Sequence, residues 1–171
     1  MKNEQEYIIL QIQEDDYGCE ERPVGAKRTV FVRLKDAKEN EKEEKIDLSS
    51  TIYAVKPGDG SAREQAASCQ RVLLGGANIA KEYATKRYRS NLINWGMVPF
   101  VTVSAPDFAD DDYIFVPNIR EALEGSMVNI LAYVLGETIK PLTLAIAPLT
   151  KEEKDIIRAG SLINYNRMLK K

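Results

Sequence analysis

The sequence predicts an α/β domain, a mixed β-sheet flanked by helices. Three observations carry that prediction. Short β-branched and aromatic runs recur along the chain, which favours strands. Amphipathic stretches that open on capping residues lie between them, which favours helices. The stretch Ser49–Gly76 reads as strand, glycine loop and helix in succession, the unit from which parallel sheets are built. With 171 residues the chain is long enough to bury one core, and a single domain over 1–171 is expected.

The elements follow in order. Residues 7–13, YIILQIQ, form a first strand, 17–25 a turn with Gly18, Pro23 and Gly25, and 29–34 a second strand. In 35–45 nine of eleven residues are charged with alternating signs, so a solvated loop or fraying exposed helix is favoured over an interaction arm. Residues 50–55 form a strand that Lys56-Pro57-Gly58-Asp59-Gly60 breaks. Ser61 is placed to cap a helix, and Glu64 completes a capping box. Ala66, Ala67, Cys69, Val72 and Leu73 give that helix an apolar stripe, and Gly75-Gly76 end it.

Further on, 77–80 is a short strand and 82–95 is helical, with Trp95 packing at its end. Residues 98–103 form a buried strand, 105–112 a loop, and 113–116 a short strand. Asn118 and Glu121 resemble a capping box for a short helix that Gly125 stops. Residues 128–135 lean to strand, and 142–147 are a firmer one. Thr150 and Glu153 make a good capping box, and the closing helix reaches about Met168 with an interruption near Gly160.

Composition narrows the chemistry. A net charge of −2, from 24 basic and 26 acidic residues, gives no global pull toward nucleic acid or membrane. No apolar run approaches a membrane span, and the polar start MKNEQE is no signal peptide, so the expected compartment is the cytoplasm. Histidine is absent, which removes the commonest general base, any Ser-His-Asp triad and His-ligated zinc. Two cysteines, Cys19 and Cys69, make neither a disulfide framework nor an iron–sulfur ligand set. Asp110, Asp111 and Asp112 lack the spacing of a calcium loop and read as a solvated acidic turn. Lys86, Arg87 and Arg89 interleave with Tyr83 and Tyr88. That pattern permits RNA contact, but a helix face with packed tyrosines and snorkelling basic groups is preferred.

The glycine loop is the candidate site. A strand feeding a loop and a helix N-terminus gathers free N–H groups and the positive end of the helix dipole, which suits an anion. The loop lacks the Gly-Lys-Ser/Thr ending of a P-loop and the third glycine of a dinucleotide fingerprint. Two readings stay open at this point. Ser61 and Arg63 serve an anion, or Ser61 merely caps the helix while Arg63 is solvated.

Gly58-Asp59-Gly60-Ser61-Ala62-Arg63-Glu64 resembles the Gly-x-Gly-Ser-Ser-Arg-Glu loop of the aconitase and isopropylmalate isomerase family. The likeness continues, in register, through Gly75-Gly76, Ala80-Lys81, Ser90-Asn91-Leu92, Gly96-Met97-Val98-Pro99 and Arg158-Ala159-Gly160-Ser161. The resemblance implies a three-layer swivel-type domain, the small subunit where the enzyme is split. It implies a hydro-lyase that dehydrates and rehydrates a hydroxy di- or tricarboxylic acid over a [4Fe–4S] cluster. That cluster would belong to a large partner domain or subunit, since this chain lacks its cysteines. Carried over, Ser61 is the base and Arg63 the carboxylate ligand. Gly60 and the backbone of Ala62 line the substrate, while Gly58, Asp59 and Glu64 support the loop.

Two departures bear on the substrate. Ala62 stands where the family has a second serine, and the family's upstream arginine has no clear match; Arg22, Arg28 and Arg33 are candidates by type only. The chain is expected to be either a native small subunit or an excised C-terminal domain. Other functional classes are a non-catalytic anion or nucleotide binder, and an RNA-binding regulator using 86–89.

Overall fold

The computed structural model describes residues 7–14, 28–103, 106–110, 112–125, 129–136 and 138–170. The chain divides into two compact units, with the boundary between Ser49 and Ser50. Cys19, Arg22, Asp111 and the turn expected at 17–25 lie outside the described residues.

The first unit is an antiparallel sheet of β1 (Tyr7–Glu14), β2 (Thr29–Asp36) and β3 (Glu41–Asp47), in that order. The charged run is therefore no helix, and only its middle, 37–40, is a turn. Its second half is the exposed strand β3, paired with β2 from Thr29↔Asp47 to Lys35↔Glu41. The turn is built by Asp36, whose carboxylate accepts from the Lys38 and Asn40 N–H groups at 2.8 and 2.9 Å. Lys45 lies 5.0 Å from the centre of the Phe31 ring directly opposite, a cation–π contact. Charge on a sheet edge also discourages a further strand from adding to it.

The second unit is mixed α/β around a six-stranded mixed sheet. It comprises β4 (Ser50–Ala54), α1 (Arg63–Val72), β5 (Gly75–Ala80), α2 (Lys86–Asn94) and β6 (Val98–Thr102). These are followed by β7 (Tyr113–Phe115), α3 (Ile119–Glu124), β8 (Asn129–Leu135), β9 (Ile139–Ile146), α4 (Lys151–Ala159) and α5 (Leu162–Leu169). The strand order is β4-β5-β6-β9-β8-β7. The first three run parallel, and β9, β8 and β7 continue antiparallel. Two successive strand–helix–strand units make the parallel part, and their shared handedness sets α1 and α2 side by side.

The main core joins Ile79, Phe100, Ile130, Leu142, Leu144 and Ile146 of the sheet to Ile93 of α2, Leu123 of α3 and Ile156 and Ile157 of α4. A second cluster, Ala67, Tyr88, Leu92 and Met97, joins α1 to α2, with Trp95 packed against it. In β8 Ile130, Ala132 and Val134 are buried between more exposed neighbours, the period-2 burial of a strand with one face on the core. Among the described residues no helix is long and apolar enough to cross a membrane.

Three expectations at helix ends need correction. Asn118 precedes α3 but adopts a left-handed conformation (φ 54°) and its side chain makes no cap bond. Helix α1 ends before Gly75-Gly76; the left-handed residue there is Leu74 (φ 64°), and Gly75 already begins β5. The apolar stripe of α1 does not face the core. Ala67 is fully buried, but Val72 and Leu73 are 80% and 71% exposed.

The cap at Thr150 is fully formed, its hydroxyl accepting from the Glu153 N–H at 3.1 Å and the Glu153 carboxylate from the Thr150 N–H at 2.8 Å. Thr150→Ala should cost about 1 kcal/mol of unfolding free energy and Thr150→Ser only a few tenths, as measured by urea denaturation.

Candidate functional site

The loop from Val55 to Ala62 leaves β4 at the carboxyl end of the parallel strands and enters α1. Its first half is fastened to the segment that follows β5. Val55 O accepts from the Glu82 N–H at 3.1 Å and Pro57 O from the Ala84 N–H at 2.9 Å. Lys56 pairs with Glu82 at 2.8 Å, so this lysine is committed. Gly58 is the tightest point. Its φ is +95°, and a Cβ there would lie 2.4–2.6 Å from Cβ, Cγ and Cδ1 of Tyr88. Only glycine meets both demands.

The Gly58 carbonyl is a node with two donors. Thr85 Oγ1 donates to it at 3.0 Å and Arg63 Nε at 3.0 Å. Arg63 Nη2 also reaches Asp59 O at 3.4 Å, while Nη1 makes no hydrogen bond among the described residues. Arg63 is half-buried and braces the loop that carries it.

Beyond Gly58 the loop is open. Asp59, Gly60, Ser61 and Ala62 are all exposed, and a Cβ on Gly60 would meet nothing within 4 Å. Ser61 is not the cap. The N-cap position belongs to Ala62 (φ −92°, ψ 52°), and no side chain caps the helix. The first intrahelical bond runs from Ala66 N–H to Ala62 O at 3.0 Å. The N–H groups of Arg63, Glu64 and Gln65 thus have no helical acceptor. Glu64 is exposed in the first turn, on the positive end of the dipole. The plain-cap reading is overturned, and with it the capping box.

Beneath the loop lies a buried polar triangle. Tyr88 is 3% exposed and Asn78 fully buried. Gln70 Nε2 donates to the Tyr88 hydroxyl at 2.7 Å, and Asn78 Nδ2 donates to Gln70 Oε1 at 2.9 Å. The inward face of α1 is therefore Arg63, Ala67, Gln70 and Arg71, of which Arg71 donates to Gly75 O at 2.7 Å. Sequence reading missed Thr85, although a threonine just before a helical stretch is a cap signal. It caps α2, accepting from the Tyr88 N–H at 3.3 Å.

The basic and aromatic cluster of 83–89 is split by the fold. Tyr88 is buried and Tyr83 donates to Asn78 O at 3.1 Å and Phe100 O at 3.0 Å. Arg89 is held by Ala147 O and Pro148 O at 3.2 and 3.1 Å and by Glu153 at 3.4 Å. Lys86 and Arg87 remain exposed. Of the candidate arginines by type, Arg28 pairs with Glu14, and Arg33 stands in β2 opposite Gln11 and Glu43, both in the first unit. Among the described residues no group of three or more His, Cys, Asp or Glu is arranged to hold a metal ion, and Cys69 is an exposed free thiol. No family model and no curated protein matches the chain.

Burial pushes the Tyr83 phenol well up, a nearby Tyr88 adds to this and Arg89 opposes it. Folding therefore favours the protonated phenol. Its stabilisation is intact below the unfolded value of about 10 and is lost as pH rises above it. Ultraviolet titration of folded protein and of Tyr83→Phe should show equal tyrosinate signals until alkaline unfolding. The two glycines should also separate. Gly58→Ala should cost about 2–4 kcal/mol from backbone strain and overpacking, while Gly60→Ala stays within about 0.5 kcal/mol, measured by denaturant unfolding.

Proposed function

We propose that this chain is the swivel-type domain or small subunit of an aconitase-like hydro-lyase, acting on a hydroxy di- or tricarboxylic acid in the cytoplasm. The observation that carries the reading is the uncapped N-terminus of α1, next to an exposed serine and to an arginine whose Nη1 has no hydrogen-bond partner among the described residues. The motif resemblance around 58–64 and its continuation to Ser161 support the same reading.

The residues divide the work. Arg63 Nη1 donates to a substrate carboxylate, with Nε and Nη2 held on the loop so that the planar fork is already oriented. The N–H groups of Arg63, Glu64 and Gln65 add donors without side-chain entropy. Gly60 leaves room for the acid to reach the backbone, and Ala62 contributes backbone alone. Ser61 Oγ takes the proton α to the carboxylate. A serine alkoxide is a strong base and needs stabilisation by fixed donors in a water-excluded site, which the helix end and Arg63 supply once a partner covers the exposed loop. A [4Fe–4S] cluster held by that partner would supply Lewis-acid chemistry at the departing hydroxyl.

The second reading, a non-catalytic anion or nucleotide binder, rests on the same free N–H groups. Calorimetric titration and thermal shift with citrate, isocitrate and ATP separate the two. The hydro-lyase reading expects saturable binding of the acids, with stabilisation of about 2.7 kcal/mol at a hundred times Kd. Preference for ATP overturns it. Ser61→Ala should leave unfolding free energy within about 0.5 kcal/mol, because Ser61 is exposed and caps nothing. In enzyme assembled with a cluster-bearing partner it should abolish α-proton exchange into deuterated solvent, and near-normal exchange removes Ser61 from the role of base.

A further inference from the structure

We propose that Thr85 is a positioning residue for the Ser61–Arg63 site; its ligand rests on the hydroxy-acid reading above, its geometry does not. Thr85 is more than the cap of α2. Its hydroxyl accepts from the Tyr88 N–H at 3.3 Å and donates to Gly58 O at 3.0 Å, so one oxygen ties the start of α2 to the loop before α1. Gly58 O is also the acceptor for Arg63 Nε. Two donors, one from the first residue of α1 and one from the N-cap of α2, thus converge on a single carbonyl. Thr85 fixes that carbonyl, the carbonyl fixes the guanidinium, and the guanidinium keeps Nη1 for a ligand.

The rest of the seat leaves this carbonyl few alternatives. Gly58 lies against the Tyr88 ring, whose hydroxyl is bonded to Gln70 of α1 and approached by Asn78 Nδ2 of β5 at 3.4 Å. The preceding carbonyl, Pro57 O, is taken by the Ala84 N–H at 2.9 Å. From Asp59 onward the loop is exposed and its helix uncapped. Between the node at Gly58 and Ser61 the loop is held only by the long bond from Arg63 Nη2 to Asp59 O at 3.4 Å, among the described residues. Losing one of its two donors loosens Arg63 and Ser61 together, while the core clusters stay in place.

The test uses Thr85→Val, which keeps the shape and removes donor and acceptor, and Thr85→Asp, which keeps a capping acceptor and removes the donor. Thr85→Ser serves as rescue and Thr150→Ala as a control that loses a helix cap elsewhere. Solvent exchange of the Arg63 Nε–H is followed by nitrogen-15 NMR, and citrate affinity by calorimetry. Thr85→Val and Thr85→Asp should both speed Nε–H exchange. Thr85→Val should weaken citrate about fivefold, the worth of one net hydrogen bond, and Thr85→Ser should restore both readouts. Thr150→Ala should lower the melting temperature and move neither. Should Thr85→Val fail to fold, the exchange rate in Thr85→Asp decides. Exchange and affinity unchanged in the Thr85 variants would overturn the positioning role. If wild-type chain binds no citrate, the hydroxy-acid reading falls, and Nε–H exchange alone still decides for or against Thr85.

Discussion

At position 58 the backbone turns through φ +95° in space that a Tyr88 ring already borders, and the carbonyl that results holds two donors at 3.0 Å. The local architecture of the site depends on that one packed turn. Because Gly58 is fixed, the chain leaving β4 is pinned to the segment after β5. Because its carbonyl receives Arg63, the first residue of α1 points back into the loop. The helix then starts at Arg63 with Ala62 before it, and no side chain is left in position to cap it. A buried contact between two elements thereby creates an open set of N–H donors on the surface.

The same constraint explains where local sequence signals succeed and fail. Ser61/Glu64, Asn118/Glu121 and Thr150/Glu153 share one spacing, yet only the last forms a box. Thr150 takes up the extended backbone a cap needs (φ −69°, ψ 163°). Around Ser61 the seat at Gly58 dictates the path, and at Asn118 the backbone is left-handed. Helix α1 shows the same override on its faces. The apolar residues at its end suggested a buried stripe, but Arg63, Gln70 and Arg71 turn inward to satisfy carbonyls and a buried phenol. Hydrogen bonds, which spacing does not reveal, chose the face.

Where burial dominates, the reading from sequence stands. The strands β1, β2, β4, β6, β8 and β9, the helix ended by Trp95 and the break near Gly160 all sit within a few residues of expectation, because apolar periodicity reports directly on a core. The break itself is conformational, with Gly160 left-handed at φ +79°. Gly96 (φ +73°) follows α2 so close to Gly160 O that a Cβ on it would come within 2.2 Å, so the two helix ends meet at a pair of glycines. The charged run of 35–45 carried no such signal. Its strand is defined by pairing with β2 and by Lys45 over Phe31, interactions that exist only once the hairpin has closed.

The glycine loop was legible in the sequence as a candidate, while the bond from Thr85 to Gly58 and the seat of Gly58 against Tyr88 were not, because they join segments about 30 residues apart. The arrangement proposed to act on hydroxy acids combines a fixed arginine, an exposed serine and a bare helix end, each produced by the seat at Gly58. Backbone-amide NMR of the chain titrated with citrate tests this most directly. The account predicts saturable shifts centred on the amides of Arg63, Glu64 and Gln65. Saturable shifts elsewhere with these three unmoved, or no shifts at millimolar citrate, would contradict it.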